Sequence, residues 1–163
     1  MTNPLLTMDS LPPFSQIQPD QVQPAVTQAI ADCKQKIEDV LAQKEPHTWD
    51  SLIAPLEEVN DRLSRIWSPI SHLNAVQNSE ALRAAHDACL PLLSEFQTYV
   101  GQHEGLYQAY LALSESDDFP RLDDAQRKEI LNTLRDFRLS GIGLPVEAQQ
   151  RYCLLYTSPS PRD

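Results

Sequence analysis

Basic side chains are scarce in this chain: 13 Lys and Arg stand against 23 Asp and Glu, a formal net charge of −10. Nucleic-acid binding needs clustered Lys and Arg to displace phosphate counterions, and anionic membrane surfaces attract polybasic segments. Neither partner is expected. The acidic residues are scattered rather than clustered, the pattern of solvated helix faces that keep a protein soluble. Glycine is as scarce, with 4 in 163 residues, and long β-branched runs are missing, which argues against an all-β sandwich. No window of about 18 apolar residues exists, so no transmembrane helix is expected. The opening MTNPLLTMDSLPPF has neither a basic n-region nor a long apolar stretch and does not read as a secretory signal. Cys33, Cys89 and Cys153 are odd in number and far apart, with no CxxC among them. A reducing, cytoplasmic setting follows from that usage.

What the chain does have is helical periodicity. Residues 1–19 form a Pro-rich arm, with Pro4, Pro12, Pro13 and Pro19 against any regular helix and Leu11, Phe14 and Ile17 as anchors. Over 20–44, Val22, Val26, Ala29, Ile30, Cys33, Ile37, Val40 and Leu41 recur at helical spacing, with Pro24 placed in the first turn. The strongest pattern is 48–76. Thr48 is its N-cap, and Leu52, Leu56, Val59, Leu63, Ile66, Ile70 and Leu73 alternate steps of four and three. Each such side chain, once buried, stabilises by roughly 1.5–3 kcal/mol, so this seam must be covered. Pro69 removes an N–H and crowds the carbonyl of Arg65, predicting a kink or break at Ser68–Pro69. A third helix over 79–100, capped by Ser79 or Asn78, buries Leu82, Ala85, Cys89, Leu92, Phe96 and Val100, and Pro91 should bend it. Residues 104–115 carry Leu106, Tyr107, Tyr110 and Leu111 on one face. After an acidic loop, Asp123 and Gln126 form a capping box that opens a helix to Ser140, with Ile130, Leu134 and Phe137 buried and Gly141 as its C′ residue. Pro145 starts a last helix. The expectation is an all-α fold of five to six helices.

Catalytic chemistry is thin. The nearest approach to HExxH, in which two His one turn apart share a metal and the Glu serves as general base, is His103-Glu104-Gly105-Leu106-Tyr107. Its second ligand position is a Tyr, and Gly101 and Gly105 are expected to interrupt any helix there; the segment reads as a polar helix start. His47, His72 and His86 stand apart from one another, and His86 with Cys89 supplies two ligands where structural zinc takes four. Cys33 and Cys89 fall on apolar stripes and read as small core residues. The acid pairs Glu57-Glu58, Asp117-Asp118 and Asp123-Asp124 are adjacent, so on a helix they do not face each other. No GxSxG elbow occurs. The GxG of SGIGLP follows a helix rather than a strand and reads as a C-cap. Catalytic, cofactor-binding and metal-binding residues are therefore all expected to be none.

Three blocks carry a resemblance. They are PPFSQIQPDQVQPAV, LIAPLEEVNDRLSRIWSPISHLNAVQNSEALRAA and LRDFRLSGIGLPVEAQQR, which lie in order within residues 11–152. Together they resemble the N-terminal region of the thimet-oligopeptidase family of zinc metallopeptidases. The resemblance implies a helical, two-domain metallopeptidase with a deep channel that admits short peptides in the cytosol. Residues 20–152 would form part of its N-terminal domain. The zinc and HExxH would lie in a C-terminal catalytic region that this chain lacks, so the chain alone should bind no zinc and be inactive. From Cys153 the pattern departs. The family pattern continues a long amphipathic helix after Tyr152, whereas CLLYTSPSPRD has no helical period and resembles translated adaptor sequence. Residues 153–163 are accordingly expected to pack against nothing specific.

Two functional readings follow. One is the N-terminal fragment of a zinc-dependent oligopeptidase. The other is an autonomous helical interaction module that uses its apolar seams to bind a partner helix, without enzymatic activity.

Overall fold

The structure, a computed structural model, describes residues 3–8, 10–43, 46–77 and 79–142. Among them the regular elements are five α-helices and no strand: α1 (Pro19–Leu41), α2 (Ala54–Val76), α3 (Glu80–Gly101), α4 (Glu104–Ser114) and α5 (Asp124–Leu139). The all-α expectation holds. The helix expected from Pro145 and the tail 153–163 lie outside the described residues, as does Asn78. The chain divides into two compact units, one of the residues up to Glu38 with Pro55–Leu93, the other of Asp39–Ala54 with the residues from Ser94 on.

In the first unit, α1 buries Val22, Ala25, Val26, Ala29, Ile30, Cys33 and Ile37, the expected stripe there with Ala25 added; in the second unit Val40 is buried as expected but Leu41 only half-buried. The first residue of α1 is Pro19, one residue earlier than expected, so Pro24 is the sixth residue of the helix and lies beyond the first turn. Pro19 holds the position where a missing N–H costs nothing, whereas Pro24 leaves the Asp20 carbonyl without its helical donor. That end of the helix is exposed, so water can serve the carbonyl. The arm is anchored by a different leucine from the one expected. Leu5 is 1% exposed and Leu11 is 87% exposed. A turn closed by the Leu6 N–H on the Asn3 carbonyl points Leu5 inward, and Asn3 Nδ2 donates to the Gln21 carbonyl at 2.8 Å.

Helix α2 runs unbroken through Pro69, which is itself buried, and α3 continues through Pro91. The expected break at Ser68–Pro69 does not occur. Ile66, Ile70 and Leu73 are buried on both sides of the proline, and at roughly 1.5–3 kcal/mol each they outweigh its cost of about 3 kcal/mol. The seam is not uniform, however. Leu63, Ile66, Ile70 and Leu73 are buried in the first unit, Leu56 and Val59 are only half-buried, and Leu52 belongs to the second unit. On α3 the same unit buries Leu82 and Cys89. Ser79 Oγ accepts from the Leu82 N–H at 3.2 Å, which makes Ser79 the capping side chain.

The second unit begins with a capping box. Thr48 Oγ1 accepts from the Ser51 N–H at 3.2 Å, and the Thr48 N–H donates to Ser51 Oγ at 2.9 Å. The turn it starts, Trp49–Ile53, is a wide π-type turn rather than α-helix, and it buries Leu52 and Ile53 side by side. In α4 the buried set is Leu106, Ala109, Tyr110 and Leu113; Tyr107 and Leu111 are half-buried. Helix α4 packs on α5, with the edges of Tyr107 and Tyr110 against Phe137 at ring separations of 6.0 and 5.8 Å. Asp123 and Gln126 form the expected box, Asp123 Oδ1 accepting from the Gln126 N–H at 2.8 Å and Gln126 Oε1 from the Asp123 N–H at 3.1 Å. At the other end Gly141 takes φ 84°, where a side chain would be strained. Its N–H reaches the Arg138 carbonyl and that of Ile142 the Phe137 carbonyl, each at 3.2 Å. That is the Schellman pairing. Gly101, the last residue of α3, lies so close to Ser140 that an added Cβ would meet its Cβ at 2.9 Å.

Candidate functional site

The His103 segment is the one place where sequence comes near a metal motif, and its geometry is that of a helix cap. His103 is the N-cap of α4, and its Nδ1 accepts from the Leu106 N–H at 3.2 Å. The ring meets Tyr99 edge-on at 5.2 Å. Gly105 does not interrupt the helix, as was expected, but sits inside its first turn. There its small size lets Leu41 and the His103 ring approach to within 3.1–3.2 Å of where a Cβ would stand. With Nδ1 engaged by the backbone and Tyr107 at the next ligand position, these residues do not fit a zinc ion. Replacing His103 by Ala should destabilise the protein by about 1 kcal/mol, and His103→Asn, which keeps an acceptor at the cap, should recover most of it. Urea denaturation of the three proteins checks this; equal midpoints would mean that the ring nitrogen caps nothing.

The other singled-out residues are dispersed. His86 stacks on Trp67, with ring centroids 4.8 Å apart, and its Nδ1 faces Asp87 Oδ1 at 3.0 Å. Cys89, one turn on, donates its thiol to the Ala85 carbonyl instead. His72 lies against Phe14 at 5.6 Å, and His47 Nδ1 is shielded from solvent without a hydrogen-bond partner among the described residues. Among the described residues no group of three or more His, Cys, Asp or Glu could hold a metal ion. Of the acid pairs, Asp123 caps α5 and Asp124 binds Arg127, while Asp118 binds Arg121. These carboxylates are engaged in local structure. Cys153 and the Gly143 end of SGIGLP lie outside the described residues.

Both described thiols are buried. Cys33 donates to the Val59 carbonyl at 3.4 Å, and its pKa is raised from 9.0 to about 11, chiefly by burial and further by Asp32, with Arg62 opposing. Burial also pushes the Cys89 thiol up. Neither is a thiolate nucleophile near neutrality. Because the folded protein holds the Cys33 proton more tightly than the unfolded chain, its contribution to stability is fully present below pH 9 and is lost as pH rises through 11. The expected loss is roughly 2 kcal/mol. Denaturation midpoints measured from pH 8 to 11.5 should fall less steeply in Cys33→Ala, and identical slopes would rule this contribution out.

One groove was not visible in the sequence. Met8, Ser10, Pro12 and Phe14 of the arm face Ser64, Arg65, Ser68, Pro69 and His72 of α2 around about 490 Å³. Its walls are about fifty positions apart, and the arm has no periodicity to advertise them. The lining offers apolar contact, hydroxyls and one cation, groups that can hold a ligand but provide no nucleophile with an adjacent base.

Residues 26–149 match the family described as Neurolysin/Thimet oligopeptidase, N-terminal domain. The chain belongs to this family. It is 60% identical over 153 residues to Oligopeptidase A of Haemophilus influenzae and 59% identical over 152 residues to Oligopeptidase A of Escherichia coli, each alignment covering 93% of this chain. It is also 32% identical over 151 residues to the probable cytosolic oligopeptidase A of Arabidopsis thaliana. In each bacterial relative the match spans 22% of the length. No helix among the described residues is long and apolar enough to cross a membrane.

Proposed function

We propose that this chain is the N-terminal part of a zinc-dependent oligopeptidase that degrades short peptides in the cytosol, with the metal site supplied by a catalytic region C-terminal to it. The observation that carries the reading is the 60% identity to Oligopeptidase A across 93% of this chain and 22% of that relative. The similarity to a probable cytosolic oligopeptidase A of Arabidopsis thaliana supports the cytosolic setting. On this reading residues 20–152 are the scaffold of the N-terminal domain, residues 1–19 its arm and residues 153–163 a segment foreign to it. The described residues contribute shape and packing, while the zinc ligands and the general base lie elsewhere.

The test begins with the reading frame in independent genomic sequence, which should continue past Tyr152 to an HExxH. The longer protein and the 163-residue chain are then purified and compared for bound zinc and for cleavage of a quenched fluorescent peptide, with and without chelator. The longer protein should hold about one zinc per molecule and lose turnover on chelation; the 163-residue chain should do neither. Chelator-sensitive turnover co-purifying with the short chain, together with stoichiometric zinc, would overturn the assignment. A natural stop after Asp163 would favour the autonomous interaction module.

A further inference from the structure

Helix α5 has two faces built on the same spacing. One buries Ile130, Leu134 and Phe137. Along its exposed flank Lys128, Leu131, Arg135 and Arg138 recur at steps of three, four and three, with Leu139 beside them, and all five are exposed. Leu131 is 51% and Leu139 64% exposed, among the largest such values for apolar side chains here. Steps of three and four are those by which one helix packs along another. The row extends over eleven residues, about 17 Å, or three turns of a docked helix.

Its charge is the opposite of the chain's. In a protein of net charge −10 the row presents three cations. The one acid on this side, Asp124 at the helix start, is engaged by Arg127. Lys128 and Arg138 make no ion pair or hydrogen bond among the described residues. Arg135 meets only its neighbour Asp136, with both side chains 63% exposed, a pair that contributes little to stability.

We propose that this row is a docking seam for an acidic, leucine-bearing helix supplied by the same polypeptide beyond residue 142. The proposal rests on the reading of the chain as the N-terminal part of a longer peptidase. The steps of the row call for a helix, its cations for acidic residues, and Leu131 and Leu139 for apolar side chains between them. A tethered source is favoured by size. Five side chains offer far less than the roughly 1,000 Å² that a separate partner needs for stable association. A tether supplies an effective concentration of about millimolar, at which so small a contact can persist. The curated bacterial relatives supply the length, since the match spans 22% of each.

The experiment uses the longer protein, on a preparation already shown to bind zinc and to cleave peptide in a chelator-sensitive way. Lysines are acylated under native and denaturing conditions and read by mass spectrometry. Lys128 should react at least about tenfold more slowly in the native protein, the protection of a covered site. Arg135→Glu combined with Arg138→Glu, which keeps Lys128 as the reporter, should abolish the protection of Lys128 and lower Tm by about 4 °C or more, while Lys128→Arg leaves Tm unchanged. An active longer protein in which Lys128 labels at its denatured rate, or in which the charge reversals leave Tm in place, overturns the seam and leaves the peptidase reading standing. Protection that appears only on adding a second protein also overturns it. A frame that closes at Asp163 removes the peptidase reading and the seam's occupant together.

Discussion

Replacing Ile70 by Ala should lower the unfolding free energy by about 2–5 kcal/mol, the range for emptying a fully buried branched side chain. Ile70 is 0% exposed, with Ile66 at 1% one turn before it and Leu73 at 9% after it. The position follows Pro69, where the helix already lacks one backbone hydrogen bond and depends on side-chain burial to stay continuous. The cavity would therefore open where α2 has least backbone support. Leu56→Ala, at a half-buried position of the same sequence seam, should cost distinctly less, because fewer of its atoms leave contact with protein. Urea unfolding of both variants beside the parent chain measures the difference. A loss below about 1 kcal/mol at Ile70 would place it among surface substitutions and show that this stretch of α2 is not covered as described.

That contrast between Ile70 and Leu56 marks how far periodicity carries. Spacing identifies the side of a helix that must face protein, and it located the α1 stripe from Val22 to Val40 and the α5 trio Ile130, Leu134 and Phe137. It does not say how deep each position goes. Leu52, Leu56 and Ile70 belong to one pattern in sequence, yet they differ in burial and in the unit they join. Three local polar signals closed within a few residues were legible: the Thr48 cap, the Asp123–Gln126 box and Gly141 at positive φ are all contained in short segments. Anchors made over distance were not legible. Leu5 and Leu11 are alike as residues, and only the Asn3 bond to α1 selects Leu5. Pro69 does not end α2, since the cost of the proline is local while the burial that outweighs it is spread along the whole face. As for the site, the failed HExxH was readable because Tyr107 stands where a ligand is needed, but that His103 caps α4 required its ring orientation. The groove between the arm and α2 has no sequence signature at all.

The largest single effect in the second unit is expected at Phe137. Its side chain is 4% exposed and receives the rings of Tyr107 and Tyr110 edge-on, at interplanar angles of 73° and 66°. Truncation to Ala should cost about 3–5 kcal/mol through lost burial and the cavity left behind. Edge-to-face pairs add roughly 0.5–1.5 kcal/mol each beyond area, so Phe137→Leu, which restores most of the volume, should still fall short of the parent. The Phe137 carbonyl also accepts the Ile142 N–H that closes the turn after α5, but this bond belongs to the backbone and survives either substitution. Side-chain packing and helix termination are therefore separable here: Phe137→Ala should lose stability with the Gly141 turn intact. Leu131→Ala, at an exposed position on the flank of the same helix, should change the stability of the 163-residue chain by no more than about 0.5 kcal/mol. Thermal and urea unfolding of Phe137→Ala, Phe137→Leu and Leu131→Ala should thus rank in that order of damage. If Leu131→Ala proved as costly as Phe137→Ala, the two faces of α5 would have been assigned the wrong way round.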